Sequence, residues 1–149
     1  GWATDGRWVE TLAPALPHCG LLLTNEDEAR AATGQQEPGG MAEALRGMGA
    51  SDIVLKLGAR GCVVYEGSEA THLPAHVVEA VDTTGAGECF AGALFAALSR
   101  GLSLVEAARV ANAMGAMAVS RIGATAGVTD WERTLAFARQ CPVGECRPR

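Results

Sequence analysis

Residues Ile53-Val54-Leu55-Lys56-Leu57 are apolar at every position but one. A strand with one wet face alternates apolar and polar side chains. A near-continuous apolar run needs cover on both faces, as in the centre of a mostly parallel sheet flanked by helices. The neighbouring segments agree. Leu21-Leu22-Leu23-Thr24 reads as a second short buried strand, and Cys62-Val63-Val64-Tyr65 as a third. Thr71–Leu73 and Val77–Val81 read as shorter extended pieces. Helical patterns stand between and after these runs, so the order predicts an α/β sheet with helices on both faces.

The helices announce themselves through spacing and caps. Trp8, Leu12 and Leu16 recur every four residues and predict a helix over 7–16 that ends near Pro17. Asn25 with Glu28 three residues on predicts a capped helix stopped by Gly34, and a further helix is expected over 41–48. In the second half, 87–100 places Phe90, Leu94 and Leu98 on one stripe with Ala91 and Phe95 beside it. Ser103-Leu104-Val105-Glu106 has the spacing of a capping box opening an Ala-rich helix to about Ser120. Thr129-Asp130-Trp131-Glu132 has the same spacing ahead of a final helix. Residues 1–140 read as part of one domain, and 141–149, with Pro142, Gly144 and Pro148, as a flexible tail.

Composition narrows the function. The net charge of −5 over 149 residues offers no clustered Lys/Arg surface for phosphate backbones, so nucleic acid is not expected as a partner. No run reaches the ~18 apolar residues of a membrane span, and no signal peptide opens the chain. Five cysteines at irregular spacing predict reduced thiols in a cytoplasmic protein, and Cys141 with Cys146 lacks a second pair for a metal. His18, His72 and His76 match no motif and read as loop or surface residues. Gly1 in place of Met predicts a piece of a longer protein.

Chemistry concentrates in 81–90. An extended segment ends at Val81, a polar glycine-rich turn follows, and a helix opens around Gly87. Amides at a helix start have no carbonyl one turn earlier, and the helix dipole adds positive charge there. Such a mouth can hold a phosphate oxygen, and the bare backbone of Gly85 and Gly87 lets it come close. Glu88 in the first turn can take a proton from an attacking hydroxyl while the amides hold the transferred phosphoryl group. Spacing alone also fits an ordinary strand-to-helix turn with a dipole-favoured Glu. A dinucleotide-binding turn would need a third glycine in register, and Gly85-Ala86-Gly87-Glu88-Cys89-Phe90 has none.

Asp82-Thr83-Thr84-Gly85-Ala86-Gly87-Glu88-Cys89-Phe90-Ala91-Gly92 resembles the C-terminal signature of the PfkB/ribokinase carbohydrate kinases. Asn25-Glu26-Asp27-Glu28-Ala29, Leu57-Gly58-Ala59-Arg60-Gly61 and Ala111-Asn112-Ala113-Met114-Gly115 follow that family's order, over about 7–137. The resemblance implies the C-terminal part of a ribokinase-like three-layer α/β/α sandwich. It implies an ATP- and Mg2+-dependent kinase acting on a small sugar or sugar-like hydroxyl, without the sugar-binding and lid half.

By the same resemblance Gly85, Ala86 and Gly87 form the anion hole and Glu88 takes the place of the family's Asp base. Asn25 and Glu28 organise Mg2+ and phosphates through water, or simply cap their helix. Gly58 and Gly61 lie against the nucleotide. Lys56 reaches a phosphate or snorkels to solvent. Asn112 stands near the adenine, or on an exposed helical face. The backbone carbonyls of Asp82, Thr84, Val119, Ile122 and Ala124 fall where relatives hold a monovalent cation such as K+. A missing half would leave apolar surface uncovered, which predicts a homo-oligomer.

Overall fold

The computed structural model describes residues 7–140, and the side chains from residue 9 onward. The expectations for Gly1, Trp8, Cys141, Cys146 and the tail fall outside that description. The chain divides into two compact units, Gly1–Gly58 with Val63–Thr71, and Ala59–Cys62 with His72–Arg149.

The first unit begins with α1 (Arg7–Leu12), which passes into a 3-10 turn over Ala13–His18. Pro14 and Pro17 carry no N–H, so the α-helix expected to run to Leu16 tightens before it gets there. Strand β1 (Leu21–Asn25) and helix α2 (Glu26–Thr33) follow. Helix α3 (Pro38–Gly47) starts three residues before the expected Met41, because Pro38 fits a first turn whose amides need no helical partner. Strand β2 is Asp52–Lys56, β3 is Cys62–Glu66 and β4 is Glu69–Leu73.

The four strands form one sheet in the order β1-β2-β3-β4. Strands β1 and β2 are parallel and in register, with Leu21 opposite Asp52 and Asn25 opposite Lys56. Gly67 and Ser68 alone join β3 to β4, a connection too short for anything but an antiparallel pair. The two-sided cover expected for β2 is present: Ile53, Val54 and Leu55 are each fully buried. Ile53 and Leu55 pack with Met41, Leu45, Val63 and Tyr65 beneath α2 and α3. Each such side chain contributes about 1.5–3 kcal/mol by leaving water.

The second unit is mainly α4 (Ala86–Leu98), α5 (Leu104–Val119) and α6 (Trp131–Ala138). The capping box of α5 is formed by Ser103 and Glu106 as expected. That of α6 is replaced by a single side-chain cap one residue further on. Asp130, not Thr129, is the cap; its carboxylate accepts from Arg133 N and pairs with the Arg133 guanidinium, so Glu132 has no part in it. The buried stripe of α4 is Phe90, Leu94 and Ala97, while Phe95 is 55% exposed. Residues 77–81 are not a strand, because Val81 N donates instead to the helix-terminal carbonyl of Val119.

Candidate active site

In the first unit, the candidate residues gather at one edge of the sheet. Asn25 ends β1 and Lys56 ends β2, side by side in register. The Asn25 side chain accepts from Glu28 N at 2.8 Å, and Glu28 Oε2 accepts from Asn25 N at 2.9 Å. Oε2 also accepts from the buried Thr24 hydroxyl at 3.1 Å. The pair therefore does cap α2. It also aims a carboxylate at the C-terminal ends of parallel strands, where open α/β sheets bind ligands. Lys56 is half-buried, with Gly58 exposed just beyond it.

In the second unit, Gly85 is the N-cap of α4, so the helix opens at Ala86, one residue before Gly87. Its φ of 78° is left-handed, and a Cβ there would lie 2.5 Å from Ala124 O. Only glycine fits both demands. Ala86 N donates weakly to Thr83 O at 3.3 Å, and Cys89 N makes a full helical bond to Gly85 O at 2.9 Å. Gly87 and Glu88 occupy the second and third helical positions, whose amides have no carbonyl a turn earlier. Glu88 is exposed and lines a groove of about 700 Å3 with Thr84, Gly85, Cys89, Gly92 and Ala93. Among the described cysteines, Cys19, Cys62 and Cys89 are free thiols. Burial raises the Cys89 thiol pKa, and the neighbouring Glu88 carboxylate raises it further.

The turn is held by a residue that sequence reasoning valued only for its carbonyl. The Asp82 carboxylate accepts from Gly123 N and from Thr84 N, both at 2.9 Å. These amides, Gly123 first, lower its pKa from the ordinary 3.8. A depressed carboxylate stabilises the fold above its unfolded pKa and stops doing so as pH falls through the folded value. Asp82→Asn is therefore expected to flatten the loss of thermal stability below about pH 4, read from melting curves across the acid range. An unchanged acid limb would remove Asp82 from the account.

Of the other carbonyls expected near a cation, Val119 O accepts from both Val81 N (2.8 Å) and Asp82 N (3.1 Å). Ala124 O accepts from the Cys89 thiol at 3.2 Å. The exposed Ile122 lies in the same loop. Asn112 is not on an exposed face: it is 8% exposed, and its amide donates to Leu73 O and Pro74 O. His72 is exposed on β4, but its Nε2 meets Arg60 O at 2.8 Å. His76 is half-buried beside Phe137, and burial lowers its pKa. Among the described residues, no helix is long and apolar enough to cross a membrane.

Comparison with known proteins gives the fold a family. The family model described as pfkB family carbohydrate kinase matches residues 3–131. The chain is 34% identical over 128 residues to aminoimidazole riboside kinase of Salmonella typhimurium, covering 83% of this chain and 40% of that protein. It is 40% identical over 112 residues to mouse (Mus musculus) ribokinase, covering 69% and 35%. Among solved structures, a putative ribokinase II from E. coli in complex with ATP and Mg2+ superposes with a TM-score of 0.79. Its identity is 29%, and the match covers 88% of this chain and 42% of that one. The chain thus spans about two fifths of the length of the relatives it matches, and it shares their ribokinase-like α/β fold over that span. It belongs to the pfkB family of carbohydrate kinases.

Proposed function

We propose that this chain is the nucleotide-binding part of an ATP-dependent kinase that phosphorylates a hydroxyl of a sugar or sugar-like nucleoside. The observation that carries this is the opening of α4: a left-handed Gly85 cap, amides at Gly87 and Glu88 without helical partners, and a carboxylate on the same turn. The amides hold the charge that develops on the transferred γ-phosphoryl oxygens. Glu88 takes the proton of the attacking hydroxyl.

In the first unit, Asn25, Glu28 and Lys56 supply the chemistry that Mg2+-bound phosphates need. Glu28 Oε2 is already engaged by Asn25 N and the Thr24 hydroxyl, which suits contact with Mg2+ through water rather than direct ligation. Bound Mg2+ would neutralise phosphate charge there. Gly58 leaves the backbone open to the nucleotide, whereas the face of Gly61 is taken by residues 73–75. The carbonyls of Asp82, Thr84 and Ile122 are the members of the expected set left for K+. The free thiols fit a cytoplasmic setting. The exposed apolar side chains of Phe95, Ile122 and Val128 fit a homo-oligomer.

A second reading, a nucleotide-binding module with weak or no activity, is favoured by Glu88 itself. The family's base is one methylene shorter. The matched relatives are more than twice the length of this chain, so the proposal expects no sugar specificity within it. Calorimetric titration is expected to show ATP–Mg2+ binding and no NAD binding. A coupled ADP-release assay of the chain alone against a sugar panel is expected to stay at background. NAD binding, or an absence of any ATP binding, would overturn the nucleotide assignment; clear sugar turnover would overturn the assignment of specificity to the absent part.

A further inference from the structure

Two backbone segments, 60–62 and 72–75, meet beside Asn112 in the second unit. The left-handed Gly61 (φ 88°) lies so close to the end of β4 that a Cβ would stand 2.0 Å from Leu73 O and 2.6 Å from Ala75 N. Residues 73–75 thus form a strap crossing the Gly61 turn backbone to backbone. Arg60 O, beside that glycine, accepts from His72 Nε2 at 2.8 Å. A carbonyl only accepts, so Nε2 carries the proton. From the other side, Asn112 on α5 donates through Nδ2 to Leu73 O at 3.0 Å and Pro74 O at 3.4 Å. The neighbouring Cys62 thiol is fully buried, and that burial pushes its pKa up to about 12. The thiol therefore stays neutral, and no charge disturbs the cluster.

We infer that Asn112 is a positioning residue: it locks the 73–75 strap onto the Gly61 turn, and the turn in turn shapes the nucleotide site. Both bonds from its amide nitrogen end on protein carbonyls, and the residue is only 8% exposed. An amide nitrogen so engaged has no N–H left for a purine. Its effect on nucleotide affinity comes through the backbone it holds, and is blind to the base. This inference rests on the nucleotide-binding reading of the chain.

The test compares ATP with a triphosphate of unsubstituted purine riboside, both with Mg2+, by calorimetry on the chain and on two variants. Asn112→Ala leaves two carbonyls without a donor and is expected to weaken both ligands by the same factor, about tenfold. In Asn112→His, Nδ1 stands as many bonds from the backbone as Asn Nδ2. That variant is expected to recover most of the affinity, again for both ligands. Amide exchange at Ala75 and Gly61 is expected to speed up in the alanine variant at temperatures where all three proteins stay folded. A loss confined to ATP would mean that Asn112 reads the base, and would overturn the inference. So would unchanged affinity in Asn112→Ala, or faster exchange confined to other segments. If the unaltered chain bound neither nucleotide, the kinase reading itself would fall; the exchange result would still separate that failure from a failure of the clamp.

Discussion

Joined to a sugar-binding half, the chain is expected to lose phosphoryl transfer by about 10²–10⁴-fold when Glu88 becomes glutamine. Glutamine keeps the length and the exposed position in the first turn of α4 but cannot accept a proton at neutral pH. ATP affinity, carried by the amides, is expected to stay within a few-fold, so the loss falls on kcat. Glu88→Asp is the informative partner. The shorter side chain draws the carboxylate back by about one bond length, and misplacement near ~1 Å costs about 100-fold. If Glu88 is a compromised base, aspartate raises kcat; if the site has adapted to glutamate, aspartate lowers it. A coupled ADP-release assay distinguishes the two. Retained activity in the glutamine variant would show that Glu88 is not the base.

Gly85→Ala is expected to cost about 3 kcal/mol or more of stability and to abolish ATP binding. Two terms add. A left-handed conformation costs a non-glycine residue about 1–2 kcal/mol. The new Cβ also meets Ala124 O at 2.5 Å and Ala124 Cα at 2.7 Å, and neither is the movable end of a side chain. Displacing Ala124 pulls on Gly123, whose amide is held by Asp82, so the damage reaches the anchor of the turn. Gly101 provides the control. Its φ is 82°, but a Cβ there meets nothing within 4 Å. Gly101→Ala is therefore expected to lose only the conformational term and to bind ATP normally. Equal losses in melting experiments would show that the contact with Ala124 is soft, and that the turn tolerates a side chain.

What the sequence makes legible here is local. The caps at Asn25–Glu28 and Ser103–Glu106 depend on three-residue spacing, and both are present. The buried run of β2 depends on composition alone, and it too is present. The family signature points to the mouth of α4, though not to its first residue. The rest depends on groups far apart in the chain. Asp82 and Gly123 stand 41 residues apart, and Asn112 and Leu73 stand 39 apart. In both pairs one partner is a backbone amide or carbonyl, which every residue possesses, so no side-chain pattern could have announced them. For the same reason Asn112 looked like a surface residue or a base contact, and Asp82 like a donor of its carbonyl only. The shifted cap of α6 has another cause. Thr129 and Asp130 are adjacent good caps, and spacing cannot choose between them when Arg133 rewards the second.

The doubly bonded carbonyl of Val119 makes the length of α5 a ruler for the glycine-rich turn. That oxygen ends a sixteen-residue helix and receives both amides that lead into the glycine-rich segment. Each residue added to a helix swings its terminus by about 100° and advances it by about 1.5 Å. A single insertion or deletion within α5 would therefore carry the mooring point round to another side. The exposed side chains of that helix can change without moving the mooring, yet its count of residues between Ser103 and Ser120 is tied to the mouth of α4.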